Sequence, residues 1–177
     1  MRSHLHWTWV AALVWSGLSG PLLAEPVARH ITVKVTVDNA SDFKDIAGST
    51  ARSKQQTRQL SVLLDNRDQE AANDVAVKWA IYARKMTDHK LVTVKQGNLK
   101  TKIGPLETAT VKSDKVTIKG TPKHAVTTRK KVNGKNQSST KNNPASGEEY
   151  YGYSVAVYVG SVLIDEIYSQ PSLKPDK

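Results

Sequence analysis

The chain has 177 residues, a formal net charge of +10 and no cysteine. Without cysteine there is no disulfide, thiolate zinc site, cysteine nucleophile or lipidated cysteine. The positive charge is local, because residues 84–141 hold fifteen Lys and Arg against three acids, Asp88, Glu107 and Asp114.

Arg2, an apolar run over residues 7–18, the breaker Gly20-Pro21 and then Leu22-Leu23-Ala24 have the three parts of a signal peptide. The run of about a dozen apolar residues falls short of the roughly 20 that span a bilayer. Cleavage is expected after Ala24, with residues 1–24 as the signal and no transmembrane segment afterwards. The remaining stretch of about 150 residues has the size of one domain, expected over residues 25–169 with a tail at 170–177. The expected location is exported, either periplasmic or extracellular at the cell surface, and the absence of cysteine leans towards a bacterial envelope.

Residues 30–37 alternate Ile31, Val33, Val35 and Val37 against polar neighbours, which predicts a half-buried strand. Residues 38–58 are polar and read as a long loop or edge excursion pinned by Phe43 and Ile46. A second strand is expected over residues 57–65 with Leu60, Val62 and Leu64 inward, followed by a polar turn over residues 65–70. The third, over residues 74–84, places Val75, Val77, Trp79, Ile81 and Ala83 on one face, with Trp79 at the centre of the core.

Shorter alternating runs follow at residues 90–95, 99–103 and 108–119, punctuated by Gln96-Gly97-Asn98, Gly104-Pro105 and Ser113-Asp114. Residues 123–132 read as one arm of an edge hairpin, and residues 133–147, rich in Asn, Ser, Lys and Gly, as a flexible loop. The last hairpin runs up over residues 150–159, turns at Gly160-Ser161 and returns over 162–168, which suits a type II′ turn. That turn sets Val159 opposite Val162, Tyr158 opposite Leu163 and Val157 opposite Ile164, with apolar pairs on both faces. Turn signals every eight to twelve residues indicate an all-β, single immunoglobulin-like antiparallel β-sandwich.

The order of strand 60–68, Trp-bearing strand 75–82, the Gly104-Pro105-Leu106 turn and the hairpin over 153–168 resembles bacterial immunoglobulin-like and fibronectin-like sandwich domains, including the adhesion-associated CARDB type. It is also similar to small exported immunoglobulin-like proteins of verrucomicrobial bacteria, one of which is linked with pilus assembly. The resemblance implies a binding or supporting role in the envelope.

Chemistry is sparse. His30, His89 and His124 match no zinc spacing, no Gly-x-Ser-x-Gly turn occurs, and Glu148-Glu149 and Asp165-Glu166 are strand neighbours whose side chains point to opposite faces. No catalytic residue, metal ligand or cofactor is assigned, and an enzyme is not expected. The acidic turn at 65–70 carries Arg67 where a calcium loop wants an oxygen ligand.

Two features remain. Tyr150, Tyr151, Tyr153, Tyr158 and Tyr168, with Leu163, crowd the last hairpin and are the candidate partner-binding residues. Arg84, Lys85, Lys100, Lys102, Arg129, Lys130 and Lys131 are the candidate anion-binding residues. Residues 84–141 contain no Phe, Trp or Tyr to stack on bases, so nucleic acid is not the expected partner. The sequence therefore points to a non-enzymatic envelope module that contacts a surface protein complex, such as a pilus or secretion assembly. The alternative is a binder of anionic surface polymers, acidic glycan or lipopolysaccharide, through residues 84–141.

Overall fold

Alternation of apolar and polar residues decides which face of each core strand turns inward. The computed structural model describes residues 30–175, so the expected signal peptide lies outside the described residues. In chain order come β1 (Ile31–Asp45), β2 (Arg52–Asn66), β3 (Ala72–Lys85), β4 (Leu91–Ile103) and β5 (Thr108–Lys112). They are followed by β6 (Val116–Thr121), β7 (His124–Val132), β8 (Lys135–Asn143), β9 (Ser146–Val159), β10 (Val162–Tyr168) and a 3-10 turn at Pro171–Leu173.

The strands form two facing antiparallel layers. In the first, β1 pairs one side of β2, and β5 and β6 share the other side. In the second the order is β4-β3-β9-β10. This is an all-β sandwich with an immunoglobulin-like strand order, A-B-E against C′-C-F-G, into which the β7–β8 pair is inserted before F. Among the described residues, no helix is long and apolar enough to cross a membrane.

Leu60, Val62 and Leu64 of β2 meet Val75, Val77 and Ile81 of β3 and Val155 and Val157 of β9 in one buried cluster. Each such side chain contributes about 1.5–3 kcal/mol by leaving water. Trp79 lies in this core and its indole covers Gly97 of β4, its register partner. A Cβ on Gly97 would stand 2.8 Å from the indole Cζ2, so only glycine fits.

β9 ties the layers together. Ser146 and Gly147 pair with Thr121 and Gly120 of the first layer, and from Glu148 onward the strand pairs with β3 of the second. At that crossing Gly147 has φ 79°, and a Cβ there would lie 2.3 Å from the Lys119 carbonyl oxygen.

The structure departs from the sequence reading in five places. Residues 38–58 are not one long loop: residues 38–45 extend β1, residues 46–51 make a turn, and residues 52–58 begin β2, the two strands pairing without interruption from Ile31↔Asn66 to Asp45↔Arg52. Phe43 is exposed, with the Arg52 and Lys54 cations over its ring. Residues 91–103 form one strand, because Gly97 continues the pleat beneath Trp79 instead of breaking it. Residues 133–147 are also ordered as strand: Asn133 and Gly134 make a turn, β8 pairs fully with β7, and β9 begins at Ser146.

The fourth departure concerns register. Asp165, not Ile164, lies opposite Val157, because a bulge leaves Ile164 without a partner. The fifth is the tail, whose Leu173 covers Gly152, just after Ser169 donates its backbone N–H to Tyr153 O and accepts from Tyr153 N through its hydroxyl.

Candidate interaction surfaces

On β3 and β9 the side chains between the core positions face outward. Ala76 lies opposite Tyr158, Lys78 opposite Ala156 and Ala80 opposite Ser154. On the flanking strands these rows continue to Lys100, Asn98 and Gln96 of β4 and to Leu163, Glu166 and Tyr168 of β10. Small residues thus run down the middle of the outer face with longer ones on both sides. The outcome is an open depression of about 560 Å³ with Ala80, Ser154 and Ala156 in its floor and Lys78, Tyr82 and Glu166 at its rim.

The rim is internally bonded. Lys78 places its ammonium 4.5 Å from the centre of the Tyr158 ring, and Tyr82 and Ser154 share a hydroxyl hydrogen bond of 3.2 Å. Burial, and next the hydrogen bond from the phenol to Glu166, push the Tyr168 pKa up to about 12.

The six residues singled out at the hairpin divide between faces. Tyr158, Leu163 and Tyr168 belong to this outer surface, and Leu163 is 47% exposed. Tyr151 lies towards its far end, where the Arg84 guanidinium stacks 4.0 Å from its ring and its hydroxyl hydrogen-bonds Ser172.

Tyr150 and Tyr153 pack instead against the core. Arg58, itself buried, stacks 4.7 Å from the Tyr150 ring and donates to the Ala40 and Thr57 carbonyls. Burial raises the Tyr150 phenol pKa, against an opposing pull from Arg58. Sequence reasoning missed Tyr82 as a member of the surface. Its signal was present, since it alternates outward on the strand that bears Trp79.

The seven basic candidates do not converge. Arg84 and Lys85 end β3, whereas Lys100 and Lys102 sit near the opposite end of β4. Nine residues separate Lys100 from the start of β4 at Leu91, about 30 Å along the strand. Arg129, Lys130 and Lys131 are on the β7–β8 ribbon, where every residue from 127 to 142 is exposed.

The polar turn at 65–70 is internally bonded as well. Asp68 accepts from the His30 backbone N–H at 3.0 Å and contacts its Nδ1 at 3.1 Å, and Asp65 accepts from Arg67 at 3.2 Å. Buried Asn66 donates to the Glu70 and Gly104 carbonyls, joining this turn to the one after β4. Among the described residues, no group of three or more His, Asp or Glu is placed to hold a metal ion.

No family model matches this chain, and no curated protein matches it. A solved structure described as the X-ray structure of Northeast Structural Genomics Consortium target SoR45 is similar at 10% identity, with a TM-score of 0.29, over 68% of this chain and 84% of that one. A likeness of that size carries no argument about function. The resemblance to CARDB-type and verrucomicrobial domains gains no support from these comparisons.

Proposed function

We propose that the chain is a non-enzymatic, exported interaction module of the cell envelope, which takes a protein partner on the outer face of the β4-β3-β9-β10 sheet and supports an assembly such as a pilus or secretion apparatus. The observation that carries this reading is the depression floored by Ala80, Ser154 and Ala156 and flanked by Tyr82, Tyr158 and Tyr168. Tyrosines offer large, stiff contact area with a hydroxyl at the tip, and small floor residues leave room for a partner's side chain. Exposed Leu163, paired with Tyr158, extends the apolar part of the surface. Export rests on the N-terminal sequence pattern.

The test is capture of partners by the tagged protein from cross-linked native envelopes, with high-salt washes, alongside Ala156→Arg and Tyr158→Ala. The reading expects a defined set of envelope proteins that survives salt and disappears with either substitution. A set unaffected by both substitutions, or recovery of acidic polymer alone, overturns it.

A further inference from the structure

A second surface, separate from the tyrosine face, is the ribbon of β7 and β8. Its nine cross-strand pairs run from His124↔Asn143 to Val132↔Lys135. Asn133 and Gly134 close it with φ of 50° and 76°, as a tight hairpin turn requires. It is anchored at one end, where Thr127 N–H donates to the Gly48 carbonyl and His124 bridges the Pro122 carbonyl and the Asn143 amide. Beyond that base the ribbon buries nothing. A two-stranded ribbon without a core is marginal in water, so its conformation is not explained by what it contributes to the sandwich.

Its composition is one-sided. Arg129, Lys130, Lys131, Lys135 and Lys141 lie on it with no acid in residues 115–147. None of the five takes part in an ion pair among the described residues. Each stands opposite a neutral residue: Arg129 faces Ser138, Lys130 faces Gln137, Lys131 faces Asn136, and Lys135 and Lys141 face valines. This arrangement avoids the repulsion of like charges directly across a sheet while leaving every cation open to solvent. One face is hollowed by about 510 Å³, with Lys130, Lys141, Gln137 and Ser139 in its lining.

We infer that this ribbon binds an acidic polysaccharide. Ammonium and guanidinium groups meet the anionic groups of such a chain, and the interleaved amides and hydroxyls suit its sugar hydroxyls. The ribbon has no aromatic side chain for stacking on bases, which disfavours single-stranded nucleic acid. It also lacks the large apolar anchors with which an interfacial element enters a bilayer.

The experiment measures binding of the purified protein to polygalacturonate and dextran sulfate across a salt series, with neutral dextran, single-stranded DNA and phosphatidylglycerol vesicles as comparators. Binding is expected to both acidic polysaccharides and not to neutral dextran, weakening steeply with salt. The variant Arg129→Ser, Lys130→Gln, Lys131→Asn, Lys141→Gln should lose about tenfold in affinity at low salt and show a shallower salt slope. Its thermal melt should match that of the parent, since all four side chains are exposed.

A variant that removes the same charge elsewhere, Lys100→Gln, Lys102→Gln, Lys112→Gln, Lys115→Gln, should lose much less. Equal losses in the two variants reduce the effect to net charge and overturn the ribbon assignment. Equally tight binding to DNA or to the vesicles overturns the polysaccharide.

Discussion

Tyr168 lies opposite Ser154 on the outer face because Ile164 is left unpaired four residues earlier. Strand side chains alternate with period two, so one extra residue exchanges the faces of everything beyond it. Without the bulge, Val157 would face Ile164, and Glu166 and Tyr168 would point into the core. With it, Asp165 faces Val157, and Glu166 and Tyr168 join Ala156 and Ser154 on the outer surface.

Deleting Ile164 should therefore cost no more than losing one half-buried side chain. The deletion removes the extra residue and leaves every later pair in place, so Glu166 and Tyr168 stay on the outer face. The expected loss is about 1–3 kcal/mol, close to that of Ile164→Ala, measured by denaturant unfolding. A loss several kcal/mol beyond that of Ile164→Ala would mean that the later pairs shift and would contradict this register.

Gly97→Ala should destabilise the fold by about 1–3 kcal/mol through overpacking against the indole of Trp79. Trp79→Ala should cost about 3–5 kcal/mol by opening a cavity. Chemical denaturation followed by far-UV circular dichroism reads both, and a neutral Gly97→Ala would contradict the close stacking.

Buried Ser113 stands at the break between β5 and β6. Its hydroxyl accepts from Leu60 N–H at 2.9 Å and donates to the Asp114 carbonyl, while its own N–H donates to the Leu60 carbonyl. Ser113→Ala leaves the Leu60 amide unsatisfied, with an expected cost of about 1–3 kcal/mol in thermal or denaturant unfolding.

The raised Tyr168 pKa has a consequence at high pH. The fold favours the neutral phenol, so this contribution is complete below about pH 10 and is lost as pH rises towards about 12. Absorbance titration should contain a late tyrosine step that Tyr168→Phe removes, and the variant should lose less stability across that window. An unchanged titration in Tyr168→Phe would contradict the assignment.

Legibility in the sequence followed burial. β3 was plain because Val75, Val77, Trp79, Ile81 and Ala83 are all buried and alternate with less buried or exposed neighbours, apart from Ala80. The break at Ser113-Asp114 was legible from turn chemistry. The far halves of β1 and β2 were not: residues 38–45 are exposed on both faces, and in β2 the buried positions there are the polar Gln56 and Arg58, so neither leaves a hydrophobic period to read. The β7–β8 ribbon was hidden for the same reason, and its polar composition imitates a loop. Gly97 resembled a turn because its requirement comes from Trp79, eighteen positions away. The bulge at Ile164 had no local signal, so the turn at Gly160-Ser161 set only the first two pairs of the hairpin.

The most direct test of the proposed role places a photo-activated cross-linking residue at Ala156, in the floor of the depression, and separately at Thr117, exposed on the opposite layer. Irradiation is done in native envelopes, followed by high-salt extraction and mass spectrometry of the adducts. The account predicts discrete adducts with envelope proteins from position 156 and none from position 117. No adduct at 156, or the same adducts from both positions, would contradict it.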